Sequence, residues 1–282
     1  MQLVGEVRAL RAAVSGWHKA GDRVALVPTM GALHAGHQSL VEQARGLADR
    51  TIVSIFVNPR QFGPSEDLNR YPRRETEDRA MLASLGIDLI FAPSVATMYP
   101  PGFATKMAVA NLGDGFEGAV RPGHFDGVAI VVAKLLIMAA PDVGVFGEKD
   151  WQQLAIIRQM AGDLDLPVEI RSGAIVRDAD GLALSSRNIY LSPQERTAAL
   201  ALPHALQRVA QAIGQGAPVA PALRGASEAL LAAGFAKVDY FSLVDERSLQ
   251  PLETARQGAR LLAAATMGST RLLDNLPVEM QP

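Results

Sequence analysis

The chain has 282 residues, of which 49% are hydrophobic and 20% charged, a composition typical of a globular protein and unlike that of a disordered one. Its 27 basic and 29 acidic side chains leave a net charge of −2, which does not favour binding of duplex DNA or tRNA. Cysteine is absent, which excludes disulfides, thiolate catalysis and thiolate zinc sites.

Apolar, strand-like runs alternate with segments of helical period along the first part of the chain. The predicted strands are residues 24–29, 51–57, 87–91, 143–146 and 168–176. The predicted helices are residues 36–48, 74–85, 124–139 and 150–162. This alternation indicates a parallel sheet with right-handed crossovers, and the continuous apolar strands indicate that helices cover both faces.

The pattern changes after about residue 178. Two helices, residues 193–214 and 218–234, are followed by three short strands, residues 238–244, 259–266 and 271–273. We therefore predict an α/β fold with a Rossmann-like parallel-sheet domain that binds a nucleotide, residues 1–174, and a smaller C-terminal α+β lid domain, residues 175–282. The stretch 92–123, rich in proline and glycine, is predicted to be a loop over a binding site.

The most informative segment joins the first predicted strand to the helix that follows it. His34 and His37 lie there, with Gly31 and Gly36 beside them. A helix start presents unpaired backbone N–H groups and a partial positive charge, which suits a phosphate. Glycine lets the backbone approach that phosphate closely, and histidine can add charge or move a proton. This segment therefore indicates that the chain handles a nucleotide.

Polar residues also follow three other strands, and ligands of parallel sheets bind beyond the carboxyl ends of the strands. These are Asn58 and Gln61, the run Gly147 to Asp150, and the run Asp180 to Asn188 with its Ser-Ser-Arg sequence. Each motif alone has a simpler interpretation: the histidines as capping residues or as two metal ligands, Asn58 as a turn residue, Lys149 as part of a solvated charge cluster, and residues 185–187 as a plain loop. Together they favour one binding site, because all of them follow strands at the same edge.

These motifs, in this order, resemble those of the pantoate–β-alanine ligase family (AMP-forming), which belongs to the His-x-Gly-His nucleotidyl transferases. The matching segments are residues 28–37, 56–63, 66–68, 71–73, 121–125, 146–150 and 180–188, and the similarity extends to residues 271–275. The resemblance therefore covers essentially the whole chain.

The resemblance implies a reaction in two steps. ATP and (R)-pantoate give a pantoyl adenylate and pyrophosphate, and β-alanine then displaces AMP to form pantothenate, a precursor of coenzyme A. It also implies Mg²⁺ bound with ATP, no tightly bound organic cofactor and a homodimer, and neither nucleic acid nor membrane as a partner.

The resemblance also assigns roles to residues. His37, the expected proton donor, His34 and Lys149 are the implied catalytic residues. ATP is expected to contact Met30, Gly31, Ala32, Leu33, His34, Ala35, Gly36 and His37, Gly147, Glu148, Lys149 and Asp150, Val176, and Leu184, Ser185, Ser186 and Arg187. Pantoate is expected at Asn58, Gln61 and Gln153, β-alanine at Gln61, and the metal at Asp78 with Glu77 nearby.

Two residues depart from the family pattern. Arg60 stands where methionine is usual, and it is expected to alter the rim of the pantoate pocket. Asp126 stands where arginine is usual, and it removes a positive charge near Gly123 and His124. For that reason neither Arg121 nor His124 is assigned to the predicted site.

Three other functions compete with this interpretation. An adenylyltransferase acting on a phosphorylated cofactor precursor would stop at nucleotidyl transfer, and it would not need Asn58, Gln61 and Gln153. A relative of aminoacyl-tRNA synthetases is disfavoured by the compact length and by the lack of a basic surface. A nucleotide sensor without catalysis is disfavoured because both histidines, Lys149 and Arg187 are all present.

Membranes and secretion are not indicated. The most apolar stretch, residues 128–140, is interrupted by Lys134 and is too short to cross a bilayer. The first residues lack the basic and apolar regions of a secretory signal. We therefore expect a cytoplasmic protein.

Overall fold

The computed structural model describes residues 1–64 and 66–280. Contacts within the chain group residues 1–148 with residues 152–174 into one compact unit, the N-terminal unit. Lys149–Trp151 group with the residues from Ile175 onward into a second, the C-terminal unit. The sequence did not indicate that these three residues belong with the C-terminal unit.

The N-terminal unit is built on a parallel sheet, which confirms the predicted α/β class. Its strands are β1 Gln2–Val4, β2 Val24–Thr29, β3 Arg50–Ile55, β4 Leu89–Phe91, β5 Val143–Gly147 and β6 Glu169–Gly173, in the order β1-β4-β3-β2-β5-β6. The helices along this part of the chain are α1 Val7–Ala20, α2 Ala35–Leu47, α3 Glu75–Ser84, α4 Val95–Met98, α5 Glu117–Val120, α6 His124–Ala139 and α7 Trp151–Asp163.

Both faces of this sheet are buried at its central strand β2. In β2, Ala25 and Val27 join an apolar cluster with Leu40 and Val41 of α2. Their neighbours Val24 and Leu26 point to the opposite face, because side chains alternate along a strand, and they are also fully buried. On that second face α1 and α6 pack against β2 and against each other.

The strand order shows at which edge of the sheet a ligand is expected to bind. From β2 the chain runs to β3 and β4 on one side, and the order then reverses to β5 and β6 on the other. Ligands of doubly wound sheets bind at such a reversal, beyond the carboxyl ends of the strands. The histidine segment follows β2, and Gly147 ends β5, so both belong to this edge.

The C-terminal unit has an antiparallel sheet with helices on it. Its strands are β7 Lys237–Asp245, β8 Ala259–Met267 and β9 Thr270–Pro277, and its helices are α8 Pro193–Ala198, α9 Ala201–Gly214 and α10 Val219–Ala232. Leu206, Leu230 and Leu261, from α9, α10 and β8, lie in one apolar core.

Several predicted boundaries were wrong. The helix predicted over residues 193–214 is divided into α8 and α9, because Pro203 has no N–H for the carbonyl of Ala199 and its ring crowds that group. The strand predicted to run to residue 176 ends at Gly173, where its partner β5 also ends. Strand β9 extends well beyond the predicted residues 271–273, since its buried polar residues are paired within the unit.

Strand β1 and helix α1 were missed. The strand is only three residues long and pairs with β4, a partner far along the chain. The helix buries only Leu10 and Val14, so its apolar stripe is narrow. No helix in residues 1–64 and 66–280 is both long and apolar enough to span a membrane.

Candidate active site

The two histidines cap the helix that follows β2. The Nδ1 atom of His34 accepts the N–H of Gly36 at 3.1 Å, and the Nδ1 atom of His37 accepts the N–H of His34 at 3.3 Å. This reciprocal pair is a capping box, and the two rings lie 4.1 Å apart. Because each Nδ1 accepts a hydrogen bond, the hydrogen of each neutral imidazole lies on Nε2. Each ring can then donate to a ligand only through Nε2.

The loop before these histidines is held by a buried carboxylate. Asp78, only 3% exposed, accepts the N–H of Ala32 at 2.8 Å on one oxygen and that of Leu33 at 2.7 Å on the other. The loop needs this support because Gly31 has φ +81° and Ala32 has φ +50°, in the left-handed region. Sequence reasoning missed this role, since Asp78 lies on α3, far along the chain.

The same bonds bear on the expected metal site. Both oxygens of Asp78 already accept backbone N–H groups, so this carboxylate is ill placed to coordinate a metal directly. In the part of the chain that the structure describes, no three His, Asp or Glu side chains are grouped so as to hold a metal ion. A cage made only of protein ligands therefore does not fit, and the role of Asp78 in binding Mg²⁺ stays a prediction.

The buried Asn58 and the half-buried Gln61 form an amide cluster after β3. The Nδ2 atom of Asn58 donates to Oε1 of Gln61 at 3.1 Å and to the carbonyl of Gly127 at 2.9 Å. Its Oδ1 accepts the hydroxyl of Tyr99 at 2.8 Å and the N–H of Arg60 at 3.2 Å. Since Asn58 is 1% exposed and uses both ends of its amide internally, this geometry favours positioning of Gln61 over contact with a substrate.

Gln61 links this cluster to the histidine segment. Its Nε2 lies 3.3 Å from the sulfur of Met30, the first residue of the predicted ATP segment. The structure therefore brings together, within the N-terminal unit, a residue predicted to bind pantoate and a residue predicted to bind ATP.

Two neighbouring glutamines at the start of α7 differ in environment. Gln152, 4% exposed, donates to the carbonyls of Leu112 and Gly115 and accepts the N–H of Glu117 at 3.0 Å. It fastens part of the long 92–123 segment, which the sequence predicted as a loop and which contains the short helices α4 and α5. Gln153, the predicted pantoate residue, is half-buried.

The residues after β5 are held by two separate sets of contacts. In the N-terminal unit, Oε1 of Glu148 accepts the hydroxyl of Ser172 at 2.9 Å. In the C-terminal unit, the carbonyl of Lys149 accepts a hydrogen bond from Nδ2 of Asn275 at 2.9 Å, while its ammonium lies 3.5 Å from the carboxylate of Asp150.

A stacked pair fixes the residue next to Asp150. The guanidinium of Arg260 lies 3.4 Å from the ring centre of Trp151 and donates to Oδ1 of Asn275. The indole N–H of Trp151 donates to the carbonyl of Glu246 at 2.9 Å. The backbone of Lys149–Trp151 is therefore anchored to β8, β9 and the residue after β7, a set of partners that no local motif indicates.

The remaining predicted nucleotide residues lie together in the C-terminal unit. The N–H of Leu184 donates to the carbonyl of Val176 at 3.0 Å, which joins these two positions across a hairpin. Ser185 caps the turn Ser186–Tyr190 by accepting the N–H of Arg187 at 3.3 Å. At the base of the hairpin, Arg177 forms a two-point ion pair with the buried carboxylate of Asp274 at 2.6 and 2.8 Å.

Comparison with known proteins identifies the family. The profile described as Pantoate-beta-alanine ligase matches residues 2–277. The chain is 56% identical over 278 residues to a protein of Sphingopyxis alaskensis named pantothenate synthetase, covering 99% of this chain and 100% of the relative. A crystal structure of pantothenate synthetase from Thermus thermophilus superposes with a TM-score of 0.93 at 49% identity, over 99% of this chain and 100% of that one.

The chain belongs to the pantoate–β-alanine ligase family. The resemblance inferred from the motifs is thereby confirmed, and the chain is an enzyme, a ligase of pantothenate biosynthesis. A further relative, from Francisella tularensis, was solved in complex with β-γ ATP and β-alanine; it has a TM-score of 0.83 and 32% identity, and covers 100% of this chain and 99% of its own.

In this ligase, the two residues that depart from the family pattern, Arg60 and Asp126, each make an identifiable interaction. The guanidinium of Arg60 lies over the rings of Tyr99 and Phe103, at 4.6 and 4.7 Å from their centres. Asp126 is exposed in the first turn of α6, where a negative charge is favourable toward the helix dipole.

Proposed function

We propose that this ligase forms pantothenate from (R)-pantoate and β-alanine through a pantoyl adenylate, with release of AMP and pyrophosphate. The contact between Gln61 and Met30, at 3.3 Å, carries this proposal. It sets a side chain suited to a carboxylate or an amine directly beside the segment suited to the phosphates of ATP. The Francisella relative, solved with β-γ ATP and β-alanine, supports ATP and β-alanine as ligands here.

Adenylation solves a chemical problem, because a carboxylate is a poor acyl electrophile. A pantoate oxygen attacks the α-phosphorus of ATP, and pyrophosphate leaves. The amine of β-alanine then attacks the acyl carbon, AMP leaves, and the amine nitrogen loses a proton. Alignment of two reactants supplies about 7–11 kcal/mol, and one well-aimed donor about 3–4 kcal/mol, so positioning and charge stabilisation suffice.

The histidine segment is proposed to bind the phosphates. The backbone of Met30, Gly31, Ala32, Leu33, Ala35 and Gly36 lines this part of the site. The Nε2–H groups of His34 and His37 are the proposed donors to the ligand, because the Nδ1 atoms cap the helix. A neighbouring phosphate favours the charged imidazolium, which forms when Nδ1 of His37 gives up its bond to the N–H of His34 and takes a proton. In this form His37 is the proposed proton donor to the leaving pyrophosphate.

The remaining roles follow the family. Gly147 and Glu148 are proposed to contact the nucleotide, Lys149 the phosphates and Asp150 the ribose. In the C-terminal unit, Val176 is proposed to pack near adenine, and Leu184, Ser185, Ser186 and Arg187 to bind phosphate, for which the forked guanidinium is well shaped. Gln61 and Gln153 are proposed to bind pantoate, and Gln61 then β-alanine.

The setting of the reaction is also part of the proposal. Mg²⁺ is proposed to bind with the triphosphate and to keep several waters, which agrees with a protein that offers no cage of its own among its described residues. A homodimer in the cytoplasm is proposed from the family resemblance, and a sequence without cysteine agrees with a reducing compartment.

The decisive assay measures AMP formed from ATP with pantoate, with and without β-alanine. AMP release that requires both the acid and the amine is the expected result. AMP release that proceeds without the amine, or that does not respond to pantoate, contradicts the ligase proposal. Pyrophosphate released with no free AMP, the nucleotide remaining on the product, favours an adenylyltransferase.

A further inference from the structure

We propose that His124 is a positioning residue for Gln61. Its neutral imidazole is hydrogen-bonded to Arg121 and to the backbone carbonyl of Gln61, and these bonds fix the loop that carries the Gln61 side chain. The inference rests on the proposed role of Gln61 in binding pantoate and β-alanine. Neither His124 nor Arg121 was assigned to the site from the sequence.

The hydrogen bonds of His124 select a single form of the ring. Its Nδ1 lies 2.8 Å from the carbonyl oxygen of Gln61, and its Nε2 lies 3.1 Å from Nη1 of Arg121. A carbonyl only accepts and a guanidinium only donates, so Nδ1 carries the hydrogen and Nε2 accepts. The opposite tautomer loses both bonds, and the doubly protonated ring points a donor at Arg121.

Burial favours this neutral form. His124 is 9% exposed, and burial, with the charge of Arg121 in addition, lowers the pKa of the ring to about 4. Arg121 is held in turn by Glu66, whose carboxylate accepts two hydrogen bonds from it at 2.9 and 2.5 Å, and Glu117 lies 3.7 Å away. The second nitrogen of Arg121 also donates to the Gln61 carbonyl at 3.3 Å. Two side chains therefore hold one carbonyl oxygen.

One turn further along α6, the backbone of Gly127 packs directly against the backbone of the Gln61 loop. A Cβ atom added to Gly127 would lie 2.2 Å from the carbonyl oxygen of Arg60 and 2.6 Å from the nitrogen of Gln61. No side chain fits there unless the loop or the helix moves. His124 and Gly127 are three residues apart on one face of the helix, so they act on the loop from the same side.

The contacts that fix the Gln61 backbone also determine the position of its side-chain amide. The Gln61 side chain is fixed only by Asn58 and by the sulfur of Met30 among the contacts described above. Asn58 in turn donates to the carbonyl of Gly127. A shift of the Gln61 carbonyl therefore changes where its amide lies, while the histidine segment, held by Asp78, stays in place.

The first test is Gly127→Ala with Gly162→Ala as its control. A Cβ atom at Gly162, in α7, meets nothing within 4 Å. A misplacement of about 1 Å costs roughly 100-fold, so Gly127→Ala should lower kcat/KM for pantoate by about that factor, while the KM for ATP changes less than about 2-fold. Gly162→Ala should leave both values unchanged. Equal kcat/KM for the two variants contradicts the proposal.

The second test compares His124→Asn with His124→Gln, and it holds even where Gly127→Ala fails to fold. Asparagine places an N–H near the position of Nδ1 and keeps the bond to Gln61, whereas glutamine places its amide near Nε2 and loses that bond. Loss of a buried hydrogen bond should raise the KM for pantoate about 10-fold in His124→Gln, with most of this increase absent in His124→Asn. Equal KM values for the two variants contradict a positioning role.

A third measurement needs no activity. Nitrogen-15 spectra of the imidazoles at neutral pH should show His124 with its hydrogen on Nδ1, and a hydrogen on Nε2 or a charged ring overturns the proposal. Failure of the proposed function is distinguishable, because it is read from the wild-type requirement for both substrates. The positioning proposal is read from the ring tautomer and from the ratios of variant to wild-type KM.

Discussion

The histidine segment and the Gln61 loop lie side by side, yet they are built in different ways. His34 and His37 are set by bonds within four residues of each other, since each ring caps the start of its own helix. Gln61 is set by residues from α6 and from the long 92–123 segment, more than 35 positions away along the chain. The imidazoles of one side are therefore set by local bonds, with only the loop before them anchored from α3, whereas the amide of the other side depends on distant residues of α6 and of the 92–123 segment.

This difference predicts how each side fails. A substitution of either histidine is expected to remove a group proposed to touch the ligand, at the cost of one capping hydrogen bond at the start of α2. A substitution near the Gln61 loop acts through neighbours, so its effect on catalysis depends on how far the loop moves. Substitutions that remove a hydrogen-bond donor should therefore lower activity most, and substitutions at the rim of the Gln61 loop should lower it least.

The largest effect is expected for His37→Ala. Loss of one well-placed donor to developing charge costs about 100- to 1000-fold in kcat, and single-turnover formation of the adenylate should slow by this factor. The exposed His204 of α9 provides the control, since His204→Ala removes an imidazole that belongs to no predicted motif. Near-normal single-turnover rates in His37→Ala would remove the proton-donor role from this residue.

A smaller effect is expected for Asp78→Asn, which tests how far the loop before the histidines depends on its carboxylate anchor. The amide keeps one acceptor and turns its NH₂ toward a backbone donor, so an N–H of Ala32 or Leu33 loses its partner at a cost of about 1–3 kcal/mol. The free energy of unfolding should fall by that amount, and the KM for ATP should rise. Chemical denaturation and initial rates measure the two quantities.

The same variant separates a loop anchor from a metal ligand. An anchor should leave the Mg²⁺ concentration for half-maximal activity unchanged once ATP is saturating. Glu228→Gln, at an exposed position of α10 outside every predicted site, controls for the loss of a negative charge. A Mg²⁺ requirement that rises strongly in Asp78→Asn alone would contradict the anchoring role and restore the metal role.

The contrast also explains what the sequence predicts and what it does not. Strand β2 matches its predicted bounds, because an apolar run followed by glycines and a helical pattern is a local signal. The capping residues of α2 lie within the same signal. Asp78, Tyr99, Gly127 and Arg260 carry no such signal, since their partners are far along the chain and become neighbours only through the fold.

The smallest effect is expected for Arg60→Met, which restores the residue usual in the family at the rim of the Gln61 loop. The guanidinium stacks on Tyr99 and Phe103, and an exposed cation–π contact contributes about 0.5–1 kcal/mol. Burial raises the pKa of Tyr99 to about 12, so its hydroxyl stays protonated and keeps its bond to Asn58 without Arg60. The free energy of unfolding should therefore drop by less than about 1 kcal/mol, and the KM for pantoate should change less than about 3-fold.

Arg11→Met, at an exposed position of α1, is the matched control for loss of an arginine. If Arg60→Met instead lowers kcat/KM for pantoate as strongly as Gly127→Ala does, the stack on Tyr99 and Phe103 holds the loop together with α6. Arg60 and the two rings would then count among the residues that position Gln61. A small effect would place that support in α6, Arg121 and Asn58, because those contacts bear directly on the backbone and amide of Gln61.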